Sequence, residues 1–138
     1  MIEIEKPAWD IMVRHAEATY PRECCGVMIG FIDSDHKKVI EARALENVYT
    51  GGQEDRYEIR PADLLEADRS ARKQGMVVIG IFHSHPDCAA YFSKTDLENS
   101  CPWYSFVVLS VEKGKFDHAN SFLPNAEQTE APQEVLKV

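Results

Sequence analysis

The chain has 138 residues, 44% of them hydrophobic and 28% charged, a balance that suits one globular domain with enough chain to bury a core. Fifteen basic against 23 acidic residues give a formal charge of −8, with no Lys/Arg run or aromatic-studded basic strand, so non-specific binding to nucleic acid is disfavoured. The longest apolar run falls far short of the ~20 residues of a membrane span, and the opening Met1-Ile2-Glu3-Ile4-Glu5 is acidic where a signal peptide is basic, so a cytoplasmic, non-membrane protein with reduced cysteines is expected.

In chain order, Trp9, Met12, Val13, Ala16 and Tyr20 recur at helical spacing and predict a helix over Pro7–Thr19, opened by a proline in its first turn. His15 flanks that stripe and reads as scaffold. Residues 25–32 then read as a strand and 33–36 as a polar turn. A second strand, 38–48, would turn Ile40, Ala42 and Ala44 inward. Adjacent cysteines such as Cys24 and Cys25 cannot chelate one zinc ion as a C-x-x-C turn does, so Cys25 is assigned to the core. Residues 49–55, with Gly51-Gly52, form a polar loop, and Tyr57-Glu58-Ile59 a short edge strand. Pro61 to Gln74 reads as a helix, with Asp63, Glu66 and Asp68 towards its start, Arg72 and Lys73 at its end and Gly75 as its stop.

Met76 to Phe82 is a run that suits a strand buried on both faces, and it leads into His83-Ser84-His85-Pro86. Strand side chains alternate, so His83 and His85 converge on one side while Ser84 turns to the other. Ser93 looks like the N-cap of a helix over 94–100, with Asp96 in its first turn. Two neutral imidazoles and one carboxylate match a catalytic zinc site, three protein ligands and one open position, so one zinc per chain is expected. Cys88, three residues after His85, is either a plain loop residue or a fourth ligand.

Residues 105–111 and 115–122 read as a hairpin in which Phe116, His118, Asn120 and Phe122 share one face, with His118 structural. The expected division is a catalytic domain over 1–123 and a polar linker with a short C-terminal strand over 124–138, able to dock on a sheet edge. The element order implies an α/β fold, a mixed sheet with helices against its faces.

The spacing H-S-H-P, with seven residues between His85 and Ser93 and two more between Ser93 and Asp96, resembles the metal signature of the JAMM (MPN+) metalloprotease family. Upstream, Glu23-Cys24-Cys25-Gly26 and Gly30 are similar to the family's E-x-C-G-x-x-x-G opening, and Asn47 with 56–61 to its middle segment. Phe92 departs from the proline usually found before the motif serine. The resemblance covers roughly 7–123. It implies a single domain of the cytidine-deaminase-like fold, zinc held by His83, His85 and Asp96, Glu23 as general base outside the coordination shell, and Ser93 as donor to the oxyanion. It also implies a compact prokaryotic type that cuts after the carboxyl-terminal Gly-Gly of a small ubiquitin-like or sulfur-carrier protein conjugate. The strand leading into Glu23 and the loop 87–92 would wall the groove. Deaminase chemistry is rejected, because H-x-E followed by P-C-x-x-C is absent. A zinc amidase for small molecules and a non-catalytic scaffold are the alternatives, and the oligomeric state is left open.

Overall fold

The computed structural model describes residues 1–138. In chain order its elements are β1 (Ile2–Ile4), α1 (Lys6–Thr19), β2 (Cys25–Asp33), β3 (His36–Leu45), α2 (Pro61–Lys73), β4 (Val77–Pro86), α3 (Lys94–Glu98), β5 (Ser105–Glu112), β6 (Lys115–Phe122), β7 (Gln133–Glu134) and β8 (Leu136–Lys137). The strands form one mixed sheet in the order β7-β6-β5-β4-β2-β3-β1-β8. β4 and β5 run parallel across the α3 crossover, whereas β2 pairs antiparallel with both β3 and β4. This is the α/β fold with flanking helices that the element order implied.

Each helix covers one face of the sheet. Ala8, Met12 and Ala16 of α1 pack with Met28, Val39, Ile79, Phe82 and Leu109. Ala67 and Ala71 of α2 pack on the other face, with Val27, Ile29, Val78 and Ile81. Small residues on both helical stripes let the helices approach the strands closely. Gly75, at φ +73° just beyond α2, takes the left-handed conformation that ends a helix and turns the chain into β4.

Three expectations need correction. Tyr57-Glu58-Ile59 is not a strand; it runs as a loop held by Val48 N–H donating to Glu58 O, and by Asn47, whose Oδ1 accepts from Glu58 N–H. On β3 a shift of register opposite Ile29/Gly30 puts both Val39 and Ala42 in the α1 core and turns Ile40 to the α2 side; Ala44, on the same face as Ala42, is exposed. On β6 the pairing steps from Ser110–His118 to Val111–Phe116, which leaves Asp117 as an extra residue. That bulge sends Phe116 to the α1 face against Trp9, and Phe122 to the opposite face against Phe92.

The tail is more than a linker. Residues 123–132 fold back as a hairpin, closed by Leu123 N–H to Pro132 O and by Asn125 N–H to Glu130 O. Then β7 pairs with β6 at one edge of the sheet and β8 with β1 at the other, with only Val135 between them. The two edges are thereby joined, and the sheet curls until Lys37 of β3 reaches Ser105 of β5 at 2.6 Å. No helix is long and apolar enough to cross a membrane.

Candidate metal centre

β4 carries the site because it continues through both histidines to Pro86, further than the apolar run alone suggested. His83 is fully buried and His85 3% exposed, on the face they share. Ser84, on the opposite face, accepts a hydrogen bond from Cys24 N–H at 2.8 Å, while its own N–H donates to Cys24 O. Those two bonds extend the β2–β4 register, in which Cys25 lies opposite His83. Carried two residues further, the same alternation sets Glu23 on the histidine side of the sheet.

Asp96 arrives from the crossover. Ser93 caps α3 with its Oγ accepting from Asp96 N–H at 3.0 Å, and Asp96 Oδ2 accepts from Ser93 N–H at 3.0 Å, a complete capping box. The same Oδ2 lies 3.1 Å from His85 Nε2 and 3.2 Å from His83 Nε2, and the two imidazole nitrogens are 3.3 Å apart. A tetrahedral zinc ion bound at ~2.0–2.1 Å has neighbouring ligand atoms ~3.3 Å apart, so this triangle matches one face of such a site. Every side of it agrees to within a few tenths of an ångström. His83, His85 and Asp96 form the cluster whose ligand atoms could meet on one ion; Glu23 and Cys88 stand outside it.

The protonation states also fit. A carbonyl oxygen only accepts, so the 2.9 Å contact between His85 Nδ1 and Ala89 O places the proton on Nδ1 and leaves the Nε2 lone pair facing Asp96. Burial lowers the His83 pKa, which keeps that ring neutral. Burial alone would raise the Asp96 carboxyl; His83, the histidine hydrogen bonds and Ser93 N–H outweigh it and hold the group far below the usual carboxylate range. With His83 neutral and no proton on His85 Nε2, the Ser93 N–H bond is the part of that effect which persists. The Nδ1 of His83 has no partner, and its ring stacks on Tyr57 at 4.6 Å.

Glu23 is 4% exposed with Oε1 unpartnered. Its backbone is clamped, the N–H donating to Gln53 O at 2.7 Å and the carbonyl accepting from Asn47 Nδ2 at 3.1 Å. Burial first, then the charges of Asp96 and Asp55, push its carboxyl up to about 9. Ser93 Oγ uses a lone pair for the cap and keeps its own proton unassigned. Cys88 is exposed, and burial with nearby acids raises its thiol, the opposite of an activated thiolate. His15 stays scaffold, edge-on to Phe82, with Nε2 unpartnered.

Two aromatic neighbours had no sequence signal of their own: Tyr57 on His83, and Tyr91, edge-on to His85 at 5.1 Å and 53% exposed at the rim. Tyr57 also lines a groove of about 440 Å³ with Tyr49, Arg56, Ile59, Leu64 and Asn99. On the Tyr57 side the wall comes from the 49–59 loop and α2, and on the His85 side Tyr91 of the loop 87–92 stands at the rim.

Comparison with known proteins places the chain in a family. Residues 5–123 match the family model described as prokaryotic homologs of the JAB domain. The desampylase of Pyrococcus furiosus is 31% identical over 94 residues, covering 68% of this chain and 63% of that protein. The desampylase of Haloferax volcanii is 34% identical over 65% of this chain and 63% of its own length. The chain thus spans just under two thirds of these relatives. RPN11 of Saccharomyces cerevisiae, a ubiquitin carboxyl-terminal hydrolase, is 30% identical over 62% of this chain and 28% of its own. In solved structures, protein DSY2949 of Desulfitobacterium hafniense superposes with a TM-score of 0.85 at 30% identity, over 99% of this chain and 93% of that one. A Salinibacter ruber protein gives 0.74 at 29% identity, over 99% and 90%. With the family model covering most of its length, this chain belongs to the prokaryotic JAB branch of the JAMM (MPN+) family.

Proposed function

We propose that this protein is a zinc-dependent isopeptidase or peptidase that cuts after the carboxyl-terminal Gly-Gly of a small ubiquitin-like or sulfur-carrier protein. The observation that carries the reading is the 3.1–3.3 Å triangle of His83, His85 and Asp96 ligand atoms, with the buried Glu23 carboxyl, its Oε1 unpartnered, on the same side of the sheet. The names of the desampylase and ubiquitin-hydrolase relatives support the substrate class.

Zinc held by the three side chains supplies Lewis acidity, making water acidic near neutral pH and drawing electron density from a carbonyl group. The protein supplies the rest. Glu23 takes the proton of the attacking water and returns it to the leaving amine, a role suited to a carboxyl outside the ligand set. A divalent cation held by His83, His85 and Asp96 would offset the Asp96 contribution to the raised Glu23 pKa and favour the carboxylate needed for the first transfer. Ser93 Oγ, fixed by the α3 cap, donates its free proton to the developing oxyanion. The groove beside Tyr57 receives an extended peptide, and glycines are the residues whose missing side chains let backbone pass the buried histidines. Residues 1–123 would carry this chemistry and 124–138 would close the sheet behind it.

The test is a linear fusion in which a small ubiquitin-like carrier ends in Gly-Gly before a reporter, with products located by mass spectrometry. Release after the second glycine, lost when that glycine becomes valine, is expected. Equal cleavage of the valine fusion, or of unrelated unfolded peptides, would overturn the proposed specificity.

A further inference from the structure

The loop that follows the metal strand, from Asp87 to Ala90, is pinned by a series of hydrogen bonds. Asp87 N–H donates to Val111 O at 2.7 Å, and Asp87 Oδ1 accepts from Lys113 N–H at 2.8 Å. Ser110 Oγ donates to Cys88 O at 2.6 Å, and Asn120 Nδ2 donates to Ala90 O at 3.0 Å. Between them sits the peptide unit joining Ala89 to Ala90. Its carbonyl accepts from His85 Nδ1–H at 2.9 Å, and its N–H donates to His118 Nε2 at 3.1 Å.

The roles of these atoms are fixed by chemistry. A backbone N–H only donates, so His118 Nε2 is the acceptor and His118 Nδ1 carries the proton, which it gives to Asp117 Oδ2 at 2.6 Å. Neighbours on a regular strand point to opposite faces. The bulge at Asp117 is what lets its carboxylate reach the adjacent imidazole, a re-aimed side chain of the kind bulges provide beside functional sites. The result is one continuous series: Asp117, His118, a single peptide unit, His85, and the donor triangle.

We propose that His118 is a positioning residue for the metal centre, which acts through the Ala89–Ala90 peptide to hold His85 in the tautomer and orientation that turn Nε2 towards His83 and Asp96. The proposal rests on the reading of His83, His85 and Asp96 as metal ligands. Ser110 and Asn120 fix where the peptide lies; His118 fixes how it is turned, because it binds the N–H of the same unit whose oxygen orients His85. A side chain without an acceptor leaves that N–H unpaired on a residue, Ala90, that is 1% exposed, and the peptide is then free to rotate away from His85.

Cobalt(II) titration of the metal-free protein tests this, read by visible absorption and by chelator competition, with circular dichroism to check the fold. His118→Leu should weaken cobalt binding by about 10- to 100-fold, the range for residues that orient a ligand, and alter the visible spectrum. His118→Gln, whose side-chain oxygen accepts from Ala90 N–H, should retain the wild-type spectrum and affinity. His118→Lys, which has donors only, should behave like His118→Leu and takes its place should the leucine variant not fold. Wild-type affinity in the variants lacking an acceptor would overturn the proposal, as would equal weakening in His118→Gln. Wild-type protein that takes up no cobalt would instead overturn the ligand assignment beneath it.

Discussion

Glu23 sets a carboxyl group where solvation would not leave it, 4% exposed and with one oxygen unpartnered. Its pKa is raised to about 9 from an ordinary 4.5, so between those values the native metal-free protein binds a proton that the unfolded chain has released. Stability from this group is therefore full below about pH 4.5 and is lost as pH rises towards 9. Glu23→Gln should raise the denaturation midpoint of the metal-free protein at pH 8 and change it little at pH 4, in paired urea titrations. The same variant should lose turnover by up to about 10⁴-fold, the range of general acid–base catalysis. Ser93→Ala should be milder, lowering kcat by about 10²-fold and costing about 1 kcal/mol through the lost cap, read from steady-state kinetics and unfolding. The ligand residues were legible in the sequence because their geometry is local, with alternation on one strand aligning the histidines and a capping pattern placing Asp96, whereas Glu23, on another strand, was reached only through the family resemblance. His118 was not legible. Its partner Ala90 is 28 positions away in sequence, and its neighbour Asp117 faces it only because of a bulge.

Among the elements, errors of reading trace to register. The β3 and β6 irregularities each break a period-2 pattern midway, so a face assigned from one end of the strand is wrong at the other. The short strands of the tail carry too few residues to show any period, yet they seal both edges of the sheet. Glu134 anchors that seal. Its side chain is 3% exposed, 3.3 Å from Lys37 Nζ, and its Oε1 accepts from Ser121 Oγ at 2.8 Å. Glu134→Ala leaves the part-buried lysine without its carboxylate partner and Ser121 Oγ without its acceptor, and should destabilise the protein by about 1–3 kcal/mol, measured by denaturant unfolding. Metal affinity in the remaining folded protein should stay unchanged, because the seal lies at the closure of the sheet and not among the ligand-bearing residues.

For the molecule as a whole, two helices on a curled sheet bring together residues from the start of β2, the end of β4 and the crossover helix, and no single stretch of chain contains the site. Sheet class and ligand spacing could be read from residues because hydrophobic period and motif are properties of short segments. The groove beside Tyr57 could not, since it is made by a loop with no period packing on α2. Metal binding should link site to fold: a ligand held at ~1,000-fold above its Kd adds about 4 kcal/mol of stability, so chelation should lower the melting temperature of wild type and leave His83→Ala unmoved. The account is tested most directly by zinc content, measured by mass spectrometry of metals on wild type and Glu23→Gln purified without chelator. About one zinc per chain in both is predicted; a zinc-free wild type that takes none up, or a Glu23→Gln variant emptied of metal, would contradict it.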